Sequence, residues 1–234
     1  MRKLGLIGGM SWVSTGLYYK WINKGVQRFG KPMASAPLLI ESLDFSQLFG
    51  LQDESDWDRA GEILIASAKR LEDAGAGALI IGANSMHRLY DRVADAVSID
   101  IIHIADCVGA KMAKDGATQS ATLIGTRNVM TESFYRQRLV AKGVDLMPPD
   151  MAQVDEVDRI IYEELMAGQA KRSSERFFRT MVTRMQQDGA KAVVSACTEL
   201  DMVVDVDANV LPIYDSARIH CEAAVDWILD KKSA

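Results

Sequence analysis

Apolar residues along the chain fall into short β-rich runs that alternate with longer stretches of helical period. "KLGLIGG" (3–9) reads as a strand entering a glycine turn, and "SWVSTGLYYKWINKGVQRFG" (11–30) as the helix after it. "APLLIESLDF" (36–45) predicts a second strand. Residues 55–75 carry the clearest helical pattern: Ala60, Ile63, Leu64, Ala68 and Leu71 share a face, Ser55 or Asp56 can cap the start, and Gly75 ends it. "ALIIG" (78–82) and "IIHI" (101–104) predict buried strands ahead of a helix at 105–115. A second round opens at "ATLIGT" (121–126) and passes through helices at about 128–141 and 149–188, the latter broken near Gly168. It continues into "AVVSAC", "VLPIYD" and a last helix to about residue 231. Such alternation predicts an α/β protein with parallel sheets flanked by helices.

The two rounds echo each other. Gly75, Ala76 and Ala78 match Gly189, Ala190 and Ala192 at a constant offset, 189 − 75 = 114, which sets Cys197 opposite Ala83. Leu6-Ile7-Gly8 matches Leu123-Ile124-Gly125 at an offset of 117, and "HIAD" (103–106) resembles "PIYD" (212–215) at 109. A drifting offset is what loop insertions between two related halves produce.

Composition narrows the function classes. Of the 234 residues, 48% are apolar and 25% charged, ordinary for a globular protein, and the net charge of −5 offers no basic footprint for nucleic acid. No apolar run approaches the roughly 20 residues of a membrane helix, and "MRKLGLIGGM" is too short in apolar residues for a signal peptide. A cytoplasmic location is therefore expected. Cys107, Cys197 and Cys221 are odd in number and widely spaced, and His87, His103 and His220 lack metal-motif spacing. Neither a disulfide framework nor a metal is expected.

Ligands of parallel sheets sit beyond the carboxyl ends of strands. Four segments put polar residues there: "GGMSWVST", "GANSMH", "IGTRN" and "ACTEL". The first is neither a GxGxxG fingerprint nor a P-loop. Its Ser11, Ser14 and Thr15 suit a small anion at a helix start, or a simple N-cap. Cys107 and Cys221, on predicted helices, read as core. Cys197 ends a strand ahead of Thr198 and Glu199, where a helix start would lower a thiol pKa from about 8.5. Asn84, Ser85 and Thr198 can donate to a carboxylate or oxyanion. His87 is a possible base or a core histidine.

"GLIGGMSWVSTGLYYKWIN", "DFSQLFGLQ", "ANSMH", "HIAD", "LIGTRNVMTESFY", "EEL" (163–165) with "AGQ" (167–169), and "ACTEL" occur in one order along the chain. In that order they resemble the aspartate/glutamate racemase family, over essentially the whole length. The resemblance implies two pseudo-symmetric α/β lobes, here residues 1–102 plus 214–234 and residues 103–213. It implies an amino-acid substrate in the cleft between them, flanked by two cysteines, with no pyridoxal phosphate, no metal, no other cofactor, and a homodimer. Cys197 matches the second catalytic cysteine. Met10, Ser11, Gln52, Asn84, Ser85, Met86, Thr126, Thr198 and Glu199 match substrate-contacting positions. The first-cysteine position, normally Cys or Thr in the family, is Ala83, and a methyl group relays no proton. Substitution at residue 83, water as second acid/base, and a single-thiol enzyme akin to arylmalonate decarboxylase all fit this departure, as does an amino-acid-binding homologue without catalysis. Met166 stands where some members carry a lysine for the substrate's distal carboxylate.

Overall fold

The structure, a computed structural model, describes residues 1–48, 50–51, 53–205 and 209–231. In chain order the elements are β1 (Leu4–Gly8), α1 (Trp12–Phe29), β2 (Leu38–Ser42), α2 (Glu54–Asp73), β3 (Ala78–Ile81), α3 (Tyr90–Ala94), β4 (Asp100–Ile102) and α4 (Ile104–Asp115). Then come β5 (Ala121–Gly125), α5 (Arg127–Thr131), α6 (Ser133–Ala141), α7 (Met151–Glu163), α8 (Arg172–Gln187), β6 (Ala192–Ala196), β7 (Ile213–Asp215) and α9 (Ser216–Ile228). The chain divides into two compact units, Met1–Ile104 with His220–Ala234 and Ala105–Ile219.

The first unit holds a parallel sheet in the order β2-β1-β3-β4, with Leu6 opposite both Ile40 and Ile80. Strands β1 and β3 are buried along their whole length, whereas the edge strand β2 is only partly covered. Interior strands of a parallel sheet are covered on both faces, which is why they read as unbroken apolar runs. Helix α2 packs Trp57, Ala60, Leu64, Ala68 and Leu71 into the same core as Ile7, Leu79 and Ile81. Its cap is Asp53, which accepts from the Asp56 N–H at 2.9 Å, rather than Ser55 or Asp56. Ile63, expected on the buried face, is half-buried.

The second unit holds a parallel sheet in the order β5-β6-β7, with Leu123 opposite Val194 and Val193 opposite Ile213. Ile124, Val157, Ile161, Phe178, Val193 and Leu200 share its core. Two predicted helices are subdivided. The 128–141 stretch breaks at Glu132, whose extended ψ of 160° ends α5 before α6 starts. The 149–188 stretch stops at Glu163, and Gly168 takes the left-handed φ of +73° before α8 begins. The last helix ends at Ile228.

The repeated segments coincide with repeated geometry. Gly75 follows α2 with φ +88° and Gly189 follows α8 with φ +100°, each turning the chain into an interior strand. Ala78 and Ala192 begin those strands, so Ala83 and Cys197 occupy equivalent places just beyond β3 and β6.

His87, His103 and His220, far apart in sequence, converge within the first unit. The His87 ring lies 4.5 Å from that of His103 and 5.9 Å from that of His220. The His220 Nε2–H donates to the Ile102 carbonyl and its Nδ1 accepts from the Tyr18 hydroxyl, both at 2.9 Å. Burial pushes its pKa down to about 4, so it is neutral at pH 7. Among the described residues no group of three or more His, Cys, Asp or Glu is arranged to hold a metal ion. No helix among them is long and apolar enough to cross a membrane.

Candidate functional site

The turn after β1 is a closed hydrogen-bonded unit. Gly9 has φ +86°, and a Cβ there would run into the backbone of Leu43. Its N–H donates to Thr15 Oγ1 at 2.7 Å, which in turn donates to the Ser11 carbonyl at 2.9 Å. Ser11 Oγ accepts from the Ser14 N–H at 3.4 Å. Ser11, Ser14 and Thr15 therefore act as an N-cap and its brace, the simpler of the two sequence readings. Met10 and Ser11 are both buried.

Beyond β3, the Ala83 methyl is buried in the first unit's core. Ser85–Leu89 is a single 3₁₀ turn, not the start of an α-helix. His87 Nδ1–H donates to the Ala83 carbonyl at 2.9 Å, and its Nε2 accepts from the Ile104 N–H at 3.3 Å. Both ring nitrogens are thus committed to backbone, which makes His87 a core histidine and removes it as the alternative base. Met86 is buried and Ser85 half-buried. Asn84 differs from all of these: it is buried, and neither of its side-chain polar atoms has a partner among the described residues.

Thr126, between β5 and α5, repeats that condition. Its hydroxyl is buried without a partner among the described residues, although the residue sits at an N-cap position. The next N–H, of Arg127, donates to Asp158 at 2.8 Å, and the Arg127 guanidinium pairs with Asp155. A buried polar group without a partner costs about 1–3 kcal/mol, and a ligand can supply what it lacks. Thr126→Val keeps the shape and removes the orphan. It should raise the unfolding free energy in urea by about 1 kcal/mol. Destabilisation of that size instead would show that the hydroxyl has a partner in the free protein.

Cys197 follows β6 in extended conformation, and Thr198–Met202 is again a 3₁₀ turn. The thiol donates to Glu199 Oε2 at 3.3 Å, and Cys197, Thr198 and Glu199 are all buried. The expected lowering of its pKa is overturned: the thiol is raised well above its ordinary value, first by burial and then by the Glu199 carboxylate. The backbone N–H groups of Glu199 and Leu200 pull the other way and are outweighed. A five-residue 3₁₀ turn has little dipole to add. At pH 7 the resting group is a thiol. Cys221 is buried and Cys107 half-buried, with the Cys107 thiol pushed up to about 12 by burial, so both behave as core.

Sequence reading missed Tyr162. Its phenol, on α7, is raised by burial and then by the charges of Asp158, Cys197 and Glu199, which puts it in the electrostatic neighbourhood of the Cys197 motif. Its one sequence signal is its position directly before "EEL". Within that segment Glu164 is 3% exposed and is held by Ser174 Oγ at 2.6 Å, Arg159 at 3.1 Å and Lys171 at 3.4 Å. These contacts fix the loop in which Met166 packs, half-buried, against the cluster that contains Cys197. Gln52 lies outside the described residues.

All four segments fall within residues 7–224, which match the family model for Asp/Glu/hydantoin racemases. The chain belongs to that family. Within the racemase family, it is similar to a candidate Asp/Glu racemase from Yersinia pestis, at 35% identity and a TM-score of 0.89 over 98% of this chain and all of the other. An aspartate racemase homologue from Pyrococcus horikoshii OT3 is 31% identical with a TM-score of 0.84, over 98% of this chain and 100% of that one. The broad specificity amino-acid racemase RacX of Bacillus subtilis is 21% identical over 223 residues, 86% of this chain and 96% of RacX.

Proposed function

We propose that this protein is an amino-acid racemase of the aspartate/glutamate type that acts without pyridoxal phosphate, with Cys197 as the acid/base at the substrate Cα. The observation that carries this reading is the buried contact between the Cys197 thiol and the Glu199 carboxylate. One proton and one negative charge belong to that pair. Passing the proton from sulfur to Glu199 creates a thiolate without adding a second charge to the interior. The thiolate takes the Cα proton, and the thiol so formed returns one.

We assign roles in substrate binding to Met10, Ser11, Gln52, Asn84, Ser85 and Met86 in the first unit, and to Thr126 and Thr198 in the second. The buried, unpartnered polar atoms of Asn84 and Thr126 support this assignment. Met166 beside the Cys197 cluster favours neutral side chains, in keeping with the broad specificity in RacX's name. A homodimer completes the reading.

A second reading rests on Ala83. Its methyl carries no proton, and the ring nitrogens of His87 are committed to backbone. This favours a single-thiol enzyme that protonates one face only, a decarboxylase or isomerase of the same superfamily, or a binding homologue. Incubation with single enantiomers in deuterated water, followed by Cα-H NMR, tests the assignment. One enantiomer of a substrate amino acid should lose its Cα-H signal, and Cys197→Ala should show no loss. Absence of exchange in the unmodified protein, across acidic and neutral amino acids, would eliminate the racemase and leave the decarboxylase and the binding homologue.

A further inference from the structure

The net charge of −5 conceals a basic helix. Residues 171–187 contain Lys171, Arg172, Arg176, Arg179 and Arg184 against Glu175 alone, a formal charge of +4. Arginines elsewhere, such as Arg70, Arg92 and Arg138, are paired with carboxylates. Among the described residues, the guanidinium groups of Arg172, Arg176, Arg179 and Arg184 have no ion-pair or hydrogen-bond partner. These four exposed guanidinium groups give one helix of an acidic protein a local positive charge.

Two of them line a groove. Between the first turn of α7 and the exposed side of α8 lies a cavity of about 310 Å³, lined in part by Arg176 and Arg184. Eight residues separate these arginines, about 12 Å along a helix axis. Ser173 and Thr180 add hydroxyls to the groove lining and Gln153 an amide, while Phe177 and Met181 add apolar surface. Guanidinium forks suit phosphate or carboxylate oxygens, and a half-buried aromatic ring suits a planar apolar body. The volume lies at the lower end of the range for small-molecule sites.

We propose that the α7–α8 groove is a second binding site, distinct from the Cys197 motif, for a small organic polyanion with an aromatic or apolar body, its charged groups held by Arg176 and Arg184. It does not depend on the racemase assignment.

Calorimetric titration of the full chain tests it, at physiological salt, with three probes: magnesium-free ATP, benzene-1,3,5-tricarboxylate and inorganic tripolyphosphate. One of the two organic probes should bind saturably at one site per chain, and the tighter one identifies phosphate or carboxylate as the natural group. Arg176→Gln with Arg184→Gln should weaken that binding at least about tenfold, while Arg28→Gln, which removes an arginine on α1, should leave it unchanged. Circular dichroism and thermal unfolding establish that the double variant is folded. Three results would overturn the proposal: no saturable heat from either organic probe at about 5 mM, beyond the range of weak specific binding; equal affinity in the double variant; or tripolyphosphate binding as tightly as the organic probes.

Discussion

Ala83→Cys should raise the rate at which a substrate amino acid inverts by about 10²–10⁴-fold, the usual contribution of one positioned proton carrier. Inversion requires a proton to leave one face of Cα and another to arrive on the opposite face. On the proposed reading Cys197 serves one face, and its contact with the Glu199 carboxylate supports that role. The equivalent place beyond β3 holds a methyl group, and the nearby imidazole of His87 is bonded to backbone through both nitrogens. Exchange and inversion should therefore separate. The enantiomer whose hydrogen faces Cys197 should exchange with deuterium faster than it inverts, and its mirror image should react poorly. Ala83→Thr should be intermediate, and Cys197→Ala should abolish both processes. Polarimetry beside Cα-H NMR reads the two rates on one sample. Efficient two-way racemisation by the unmodified protein would refute the assignment of residue 83 as the missing carrier, as would an Ala83→Cys variant that exchanges and inverts no faster.

Asp215→Asn should make stability fall more steeply than in the unmodified protein as the pH drops from 6.5 to 4, by about 2 kcal/mol over that window. Two buried groups oppose each other in that window. His220 is held neutral, with its pKa moved from 6.5 to about 4 by burial. The unfolded chain then binds its proton first, so the stability it supports is complete above pH 6.5 and is lost as pH falls towards 4. Asp215 is raised from 3.8 to about 6, again chiefly by burial. Here the folded chain binds the proton first, so stability is gained as pH falls from 6 towards 4, by a similar amount. The asparagine removes the second slope and exposes the first. Its side-chain oxygen still accepts from the Ala217 and Arg218 N–H groups, which Asp215 Oδ1 engages at 2.9 and 3.2 Å. Urea unfolding at half-unit pH steps reads the difference between the two profiles, in which all other carboxylates cancel. Parallel profiles would sink the prediction.

The segments that matter are visible in the sequence for a local reason. Interior strands of a parallel sheet are apolar on both faces, so β1, β3, β5 and β6 stand out as short unbroken runs. Gly75 and Gly189 mark helix ends because the left-handed turn there favours glycine. The repeat follows from those two signals, and the order of residues alone is enough to align Ala83 with Cys197. Helix ends are less legible. The break at Glu132 carries no glycine or proline, and a five-residue 3₁₀ turn after β3 or β6 is too short to display a period of its own.

What the tertiary structure decided is protonation and partnership. The sequence places Cys197 at a strand end, and from that alone a reactive, low-pKa thiol is the natural expectation. Burial and the Glu199 carboxylate reverse the sign. The same holds for the three histidines, whose rings come together from distant parts of the chain, and for Tyr162 on α7, drawn into the electrostatic neighbourhood of Cys197 and Glu199. Asn84 and Thr126 stand out in the sequence as candidate contacts, but only packing buries their polar atoms without a partner among the described residues. Periodicity and turn chemistry act between residues a few positions apart, so one chain of letters contains them. Desolvation and charge act through space, and their sum at a given atom exists only once the fold has determined what surrounds it.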